Sequence, residues 1–343
     1  MANNHINSKK IYILAAEQIS VQQPLSEEWT NAPILYDNQK YVRAIDPDYK
    51  QFFAPNTARR LGKILKRAML TSRRVMETTG ISLPDAIITG TGFGCVENTE
   101  IFLEALVKQG EEFLKPTHFM QSTHNTISSL IAVENKCHGY NSTYTQKGTS
   151  FDCALLDAFM QLQSGQIKTA LVGAHDEITP NFHVLLERIG HADNSFCAEA
   201  SVSMMLADDA NNDYLCVVAG IENAYNPNDN DILDIINRLL QEADCTMEDI
   251  DAVMINSSPE SYEKCARLMP EKKLIGYNHI FGNSFSVSGL GIYAAATCLK
   301  QQKIPKHLFI NDNQNETKDI KHILVYNQYE NKNHTFVLLS CGN

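Results

Sequence analysis

The stretch YTQKGTSFDCALLDAFMQLQSGQIKTALVGAHDE, residues 144–177, decides how this chain is interpreted. Its apolar spacing predicts a helix over Thr149–Gln163, and the Ser-Gly pair that follows is a helix stop. The next run, Thr169–Ala174, is short and apolar, as buried strands are. The stretch therefore predicts a sharp turn at Gly148, a helix and then a buried strand.

Apolar runs with the length of buried strands alternate with helical patterns along the rest of the chain. The predicted strands are residues 11–16, 85–90, 169–174, 200–207, 214–221, 251–256, 273–278 and 335–340. The predicted helices are residues 56–78, 97–109, 122–137, 149–163, 231–243 and 285–302. Alternation of strands and helices favours an α/β fold that is built in layers.

A weak internal repeat divides the chain in two. A helix end, a short turn and an apolar strand recur at 75–90 and at 235–254. A helix rich in small residues follows each copy. The pattern predicts two similar halves, residues 1–210 and 211–343. Since any α/β protein can show such coincidences, chance is an equally good explanation of the pattern alone.

Net charge disfavours two classes of partner. The 343 residues include 29 Lys and Arg against 40 Asp and Glu, which gives 29 − 40 = −11. A chain this acidic has little non-specific affinity for nucleic acid or for an anionic membrane surface.

The cysteines and the apolar runs bear on location and on metal binding. Nine scattered cysteines form neither a CxxC pair nor a His-paired spacing, so we expect no metal site. An odd, dispersed set is typical of reduced thiols in a cytosol. The apolar run at 11–16 is too short for a signal peptide, and no run approaches about 18 apolar residues. We expect a cytoplasmic protein without a membrane span, and the sequence implies no cofactor.

A glycine-rich segment, ITGTGFGCVENTE at 88–100, follows one predicted strand. Gly90, Gly92 and Gly94 permit a tight turn there. Their spacing is GxGxG rather than GxGxxG, and no suitably placed acidic residue follows a second strand. A dinucleotide site is therefore disfavoured.

Four segments, taken in order, resemble the β-ketoacyl-acyl-carrier-protein synthase family: residues 88–100, 144–177, 251–265 and 276–291. The resemblance extends from about residue 11 to residue 339. It implies a thiolase-like fold, in which two βαβ-rich halves pack as a five-layer α/β/α/β/α sandwich. It also implies a dimer that pairs through the strand at about Asn141–Gln146. An open apolar strand edge would otherwise favour aggregation.

The family's reactive residues are replaced in this chain. The resemblance places the nucleophilic Cys at Gly148, the two His at Asn256 and Asn283, and a Lys at Asn278. Glycine has no side chain with which to attack a thioester. Asparagine donates hydrogen bonds but exchanges no proton near neutral pH. The family's glycine-rich loop near the C-terminus is replaced by the polar stretch NQYENKNH, residues 327–334.

Two alternatives would restore some chemistry. A slip of the register by one or two residues places Lys147 or Gln146 at the nucleophile, and neither is a plausible acyl carrier. A displaced group, Cys153 with His279, could instead serve an atypical acyltransferase or condensing enzyme. A small buried core residue is the more common role of such a cysteine.

The resemblance implies a degenerate, chain-length-factor-like member of the family. Such a subunit would pair with an active β-ketoacyl synthase in fatty acid or polyketide biosynthesis, aryl-polyene pathways included, and would meet the acyl carrier protein. Candidate residues of the acyl pocket are Phe151, Met160 and Phe285. A homodimer that holds an acyl ligand without any synthase partner is a further alternative.

A basic face is predicted on the helix at 56–78. It includes Arg59, Lys63, Lys66 and Arg67, with apolar residues at helical spacing on the opposite side. One interpretation is a docking site for an acidic carrier protein or partner subunit. The other is an ordinary solvated surface helix.

Overall fold

The computed structural model describes residues 9–190, 196–210, 213–256, 258–311 and 319–342. Within these ranges the strands are β1 (Ile11–Ile19), β2 (Tyr41–Val42), β3 (Ala86–Gly90), β4 (Tyr140–Tyr144), β5 (Thr169–Asp176), β6 (Cys197–Ala198), β7 (Ala200–Ala207), β8 (Cys216–Tyr225), β9 (Ile250–Ile255), β10 (Leu274–Gly276), β11 (His322–Tyr329) and β12 (Asn333–Ser340). The α-helices are α1 (Pro55–Ala58), α2 (Lys63–Thr79), α3 (Val96–Gln109), α4 (Pro116–Met120), α5 (Thr126–Asn135), α6 (Ser150–Gln163), α7 (Pro180–Arg188), α8 (Asp229–Glu242), α9 (Pro259–Leu268), α10 (Asn278–Phe281) and α11 (Ser288–Gln301). None of the helices in the described ranges has both the length and the apolarity that crossing a membrane requires.

Ten of the strands form two sets of five that share one topology. The spatial order is β4-β3-β5-β7-β1 in the first set and β10-β9-β11-β12-β8 in the second. In both sets the first three strands are parallel and the last two pairings are antiparallel. A short pairing of β1 with β8 joins the sets into one ten-stranded sheet. Numbered along the chain, each set has the order 3-2-4-5-1, so the duplicated halves are confirmed.

The helices complete five layers. α2 and α5 cover the outer face of the first set, and α8 and α9 cover the outer face of the second. α6 and α11 lie between the two sets. α11 is buried from Ser288 to Leu299 because small residues such as Gly289 and Ala294 let both sheets approach it closely. The α/β/α/β/α arrangement predicted from the sequence is confirmed.

The two halves share their central core. Phe151 and Val172 of the first half pack in one cluster with Tyr277 and Leu290 of the second. The first set of strands ends at Ala207, and the second begins at Cys216. A domain boundary between residues 210 and 211 stays a prediction, because a shared core does not by itself define separate domains.

The single helix predicted over residues 56–78 is wrong. The chain forms α1, leaves the helical conformation near Arg59, and starts α2 after Gly62, whose backbone is extended. The exposed Arg59 therefore lies outside the long helix. Lys63 and Lys66 lie on α2, half-buried, and Lys66 Nζ is 5.7 Å from the centroid of the Tyr49 ring.

The prediction that Arg67 belongs to an exposed basic face is also wrong. Arg67 is fully buried between Ile64 and Thr71 on the inner side of α2. Its guanidinium lies 2.6 Å from the Asp46 carboxylate and 2.9 Å from that of Glu199. Two carboxylates compensate for the desolvation of the cation, so burial on the helix side that faces the sheet becomes possible.

Replacing Arg67 with Met should lower the free energy of unfolding by about 3–5 kcal/mol, because two carboxylates would lose the buried cation that pairs with both of them. Chemical denaturation measures this loss. Arg59→Ala, on an exposed side chain of the same region, should change stability by less than about 0.5 kcal/mol. Equal effects of the two substitutions would contradict the buried ion pair.

Two buried histidines make the fold sensitive to acid. His175 Nδ1 lies 2.7 Å from Ser201 Oγ, and His334 Nδ1 lies 2.7 Å from the Tyr326 hydroxyl. Burial lowers the pKa of His175 to about 3 and that of His334 to about 4. Both stay neutral in the folded protein at a pH at which the unfolded chain already binds protons.

The stability that these two histidines contribute should therefore fall as the pH falls from about 6.5 towards 4, because protons bind their imidazoles in the unfolded state first. Each of the two histidines adds a slope of about 1.4 kcal/mol per pH unit in this window. His175→Gln should remove one such slope from unfolding free energies measured between pH 6.5 and 5. The same change at the exposed His138 serves as the control. An unchanged slope for His175→Gln would show that this histidine is not held neutral.

Candidate functional site

The turn before α6 is where the sequence places the reactive position. β4 ends at Tyr144, a short 3-10 turn spans Lys147–Thr149, and α6 begins at Ser150. Lys147 has φ = 51°, a left-handed conformation that a non-glycine residue adopts only when its surroundings enforce it. The Ser150 hydroxyl donates to the Lys147 carbonyl at 2.7 Å and so holds this turn closed.

The ring of Tyr329 occupies the space that a side chain at position 148 would need. A Cβ atom added to Gly148 would lie 2.1 Å from Tyr329 Cδ2 and 2.4 Å from Cγ, well inside van der Waals contact. Asn327 Nδ2 donates to the Gly148 carbonyl at 3.3 Å and also to the buried Asp152 carboxylate. Glycine is therefore the only residue that fits this turn while Tyr329 keeps its place.

A tight hairpin fixes Tyr329. Lys332 N donates to the Tyr329 carbonyl at 3.2 Å, and Glu330 and Asn331 have φ values of 53° and 51°. Two successive left-handed residues are what the short turns of β-hairpins require. The polar stretch at 327–334 thus forms the end of β11, a turn and the start of β12.

The three predicted asparagine positions meet on the other side of Tyr329. Asn256 follows β9, donates from Nδ2 to the Gln328 carbonyl at 2.7 Å, and accepts from the Ser261 hydroxyl. Asn278 Nδ2 donates to Asn283 Oδ1 at 3.3 Å. The backbone of Asn283 is fixed by N–H donation to the Phe196 carbonyl at 2.8 Å. Asn256 and Asn283 therefore lie beside Tyr329, whose ring covers Gly148, and Asn278 joins this group through Asn283.

A cavity of about 120 Å³ lies at this meeting point. Residues from both halves of the chain line it: Phe93, Ile178, Leu186, Cys197, Asn256, Asn283, Ser284, Phe285 and Tyr329. The described lining contains no charged side chain. Burial raises the pKa of the Cys197 thiol to about 11, so this thiol remains protonated and unreactive near neutral pH.

Asp176 holds the glycine-rich loop and the segment before α11 against each other. Its carboxylate accepts from Thr91 Oγ1 and from the backbone N–H groups of Gly92 and Phe93 at 2.8–3.0 Å. It also accepts from the backbone N–H of Ser286 at 2.7 Å. Complete burial raises the pKa of Asp176 although four donors oppose this. Sequence analysis missed this residue; an acidic group that directly ends a buried strand was the available signal.

Of the three predicted acyl-pocket residues, only Phe285 lines the cavity. Phe151 lies in the central core, where its backbone packs against Gly90, and it does not line this cavity. Met160 is 60 % exposed on α6 and does not line it either. The assignment of these two residues to an acyl pocket stays a prediction.

Neither member of the predicted pair, Cys153 and His279, lines the cavity, and a reactive role for the pair stays a prediction. Burial raises the pKa of Cys153, which disfavours the thiolate. The Nε2 atom of His279 lies 2.6 Å from the His307 carbonyl oxygen, and burial lowers the His279 pKa. Within the described ranges, no group of three His, Cys, Asp or Glu is arranged to hold a metal ion.

Comparison with known families gives one match. Residues 26–249 match the family model described as the N-terminal domain of β-ketoacyl synthases. A search of curated proteins gives no match.

Solved structures of low sequence identity share this fold. The ishigamide ketosynthase/chain length factor has a TM-score of 0.79 at 16% identity, over 97% of this chain and 99% of that chain. A β-ketoacyl synthase from Burkholderia phymatum STM815 has a TM-score of 0.78 at 12% identity, over 97% and 99%. The ketosynthase ApeO in complex with its chain length factor ApeC, from Xenorhabdus doucetiae, has a TM-score of 0.76 at 12% identity, over 99% and 100%.

Gly148→Ala should destabilise the protein by about 1–3 kcal/mol, because the added methyl group overlaps the Tyr329 ring. In a Tyr329→Ala background the same substitution should have little effect, which gives a coupling energy of at least about 1 kcal/mol. Denaturant unfolding of the four proteins in this cycle measures it. A Tyr225→Ala background, which removes an exposed ring, is the control. Additive effects of Gly148→Ala and Tyr329→Ala would contradict the steric contact.

Proposed function

We propose that this chain, which belongs to the β-ketoacyl synthase family, is a non-catalytic subunit of the chain-length-factor type. It pairs with an active synthase and shapes the space in which a fatty acyl or polyketide chain grows. It works in the cytoplasm, where its nine unpaired cysteines remain reduced.

The observation that carries this proposal is the contact of Tyr329 with Gly148. A covalent acyl intermediate needs a nucleophile and room for the acyl group beside it. Here the residue at that position has no side chain, and an aromatic ring lies within van der Waals contact of its backbone. Restoring the thiol alone would not restore a place for the substrate.

The residues around the cavity support the same conclusion. Asn256 and Asn283 offer carboxamides where the family resemblance places proton-exchanging histidines. Both amides take part in hydrogen bonds within the protein. The single thiol in the lining, at Cys197, has its pKa raised by burial. These groups can position a molecule, but they cannot move protons or form a thioester.

The names of the structural neighbours support the choice of partner. They include the ishigamide ketosynthase/chain length factor and the complex of ApeO with its chain length factor ApeC. A third, AntDE:AntF, is described as a type II acyl-carrier protein in complex with its ketosynthase, with a TM-score of 0.80 at 13% identity. We extend to this chain the pairing with an active synthase and the encounter with an acyl carrier protein.

The open edge of the first set of strands is the proposed contact with the synthase. β4 ends the sheet and pairs only with β3 among the described strands. Exposed apolar side chains lie on β4 and on the two helices that contact it: Tyr140 on β4, Val133 on α5 and Met160 on α6. A strand edge with an apolar border favours sheet extension across a subunit interface. The exposure of Met160 is thus better explained by a partner than by a pocket.

The proposed carrier-docking site is smaller than the sequence indicated. Arg59 is exposed, while Lys63 and Lys66 are half-buried on the first turn of α2. Arg67 is excluded because Asp46 and Glu199 bind it inside the protein. The remaining cations on an acidic protein can attract an acidic carrier mainly by increasing the association rate.

Co-expression with an active β-ketoacyl synthase from the same genome should yield a complex that purifies at one-to-one stoichiometry. Size-exclusion chromatography measures whether this complex is stable. Condensation activity of that complex should survive Cys153→Ala in this chain and disappear when the partner's nucleophile is removed. Tyr140 and Tyr144 bond β3 through their backbones, so the alternating N–H of Asn141 faces the open edge. Replacing Asn141 of β4 with Pro should abolish the complex, because Pro cannot donate to a neighbouring strand. Leu83→Ala, on an exposed side chain, is the matched control.

Two outcomes would overturn the proposal. One is failure of the chains to associate. The other is an acyl adduct on this chain alone in intact-mass measurements, lost in Cys153→Ala, which would establish the displaced-nucleophile enzyme instead.

A further inference from the structure

We propose that the cavity bounded by Asn283, Ser284 and Tyr329 is a binding site for a small uncharged carbonyl compound, such as a short amide. This goes beyond the proposed role in a synthase pair, because it needs neither a partner chain nor a nucleophile. Three features of the cavity support it: its size, its uncharged lining, and two polar groups with unused hydrogen-bonding capacity.

The volume sets the size of the ligand. The cavity holds about 120 Å³. An engineered protein cavity of about 150 Å³ accommodates benzene, which has six heavy atoms. A compound of about four to six heavy atoms therefore fits, whereas a long acyl chain does not.

Two lining groups have unused hydrogen-bonding capacity. The Ser284 hydroxyl is buried and has no hydrogen-bond partner among the described residues. The oxygen of the Asn283 carboxamide already accepts from Asn278 Nδ2, so its NH₂ group remains to be matched by an acceptor. A buried hydroxyl without a partner is costly, and a carbonyl oxygen can accept both from Ser284 and from the amide of the partly exposed Asn283.

The rest of the lining selects against charge. Four apolar side chains, Phe93, Ile178, Leu186 and Phe285, form the opposite wall. Burial and, to a smaller extent, the adjacent Glu330 raise the pKa of the Tyr329 phenol, which therefore stays neutral, and the described lining offers an anion no cation. The described lining offers a cation no carboxylate. A neutral ligand that is polar at one end and apolar at the other matches both walls.

Asn256 is not expected to contribute to recognition. Its Nδ2 donates to the Gln328 carbonyl, and its Oδ1 accepts from the Ser261 hydroxyl. The same kind of side chain therefore has two roles here: Asn256 supports the hairpin, and Asn283 presents its amide group. Because residues of both halves line the cavity, a bound ligand should also stabilise the contact between them.

The test is a titration of the intact protein with propionamide. The NMR signals of the methyl groups of Ile178 and Leu186 are recorded at each concentration. Both should shift saturably with a dissociation constant of about 5 mM, while the methyls of Leu83, which does not line the cavity, should not shift. Propionate has the same shape and a negative charge, and it should bind at least about tenfold more weakly.

Two variants separate recognition from folding. Ser284→Ala should weaken propionamide binding about fivefold to tenfold, because one hydrogen bond is lost. Cys197→Leu should fill much of the cavity and abolish binding, with circular dichroism confirming that the fold persists. No saturable shift at either methyl, as expected of a cavity that holds only water, would overturn the inference, and so would equal binding of propionate. Either result would leave the co-purification test of the proposed function untouched.

Discussion

The buried carboxylate of Asp176 is the interaction on which the arrangement of the site depends. It ends β5 of the first half and accepts hydrogen bonds from the glycine-rich loop of that half and from Ser286 of the second. One side chain thus fixes two loops that face each other across the halves. Asp176 accepts from the N–H of Phe93 and from that of Ser286, the neighbour of Phe285. It therefore positions both phenylalanine rings, which line the cavity with their centroids 4.3 Å apart. Complete burial makes this arrangement intolerant of any change that leaves a donor unmatched.

The missing side chain at Gly148 and the position of the Tyr329 ring are two parts of one packing arrangement. The left-handed turn at Lys147 places Gly148 next to β11. The hairpin turn at Glu330 and Asn331 places the Tyr329 ring against Gly148. Asn327 joins the two by hydrogen bonds to the Gly148 carbonyl and to Asp152. A larger residue at 148 would require a different conformation of the hairpin, so the site cannot change at one position without the other.

Much of the fold could be predicted from the sequence, because buried strands and small-residue helices leave a periodic pattern. The strands at 85–90 and 251–256, and the small-residue helix before Gln302, were predicted close to their observed bounds. Side-chain burial was harder to predict. Arg67 lies inside because Asp46 and Glu199, both distant in sequence, neutralise it. Tyr329 could not be predicted as the group over Gly148, because the contact depends on a turn whose left-handed residues are Glu and Asn rather than Gly.

The architecture separates the stability of the fold from the residues of the candidate site. The central core consists of apolar residues of α6, α11 and the two sets of strands, and it includes none of Gly148, Asn256, Asn278 and Asn283. Asn256 and Asn278 satisfy their neighbours through hydrogen bonds that need no change of protonation. The open edge of β4, by contrast, depends on the first set of strands being complete. A subunit contact at this edge would therefore depend on the whole layered structure, whereas it would not depend on the side chain at position 148.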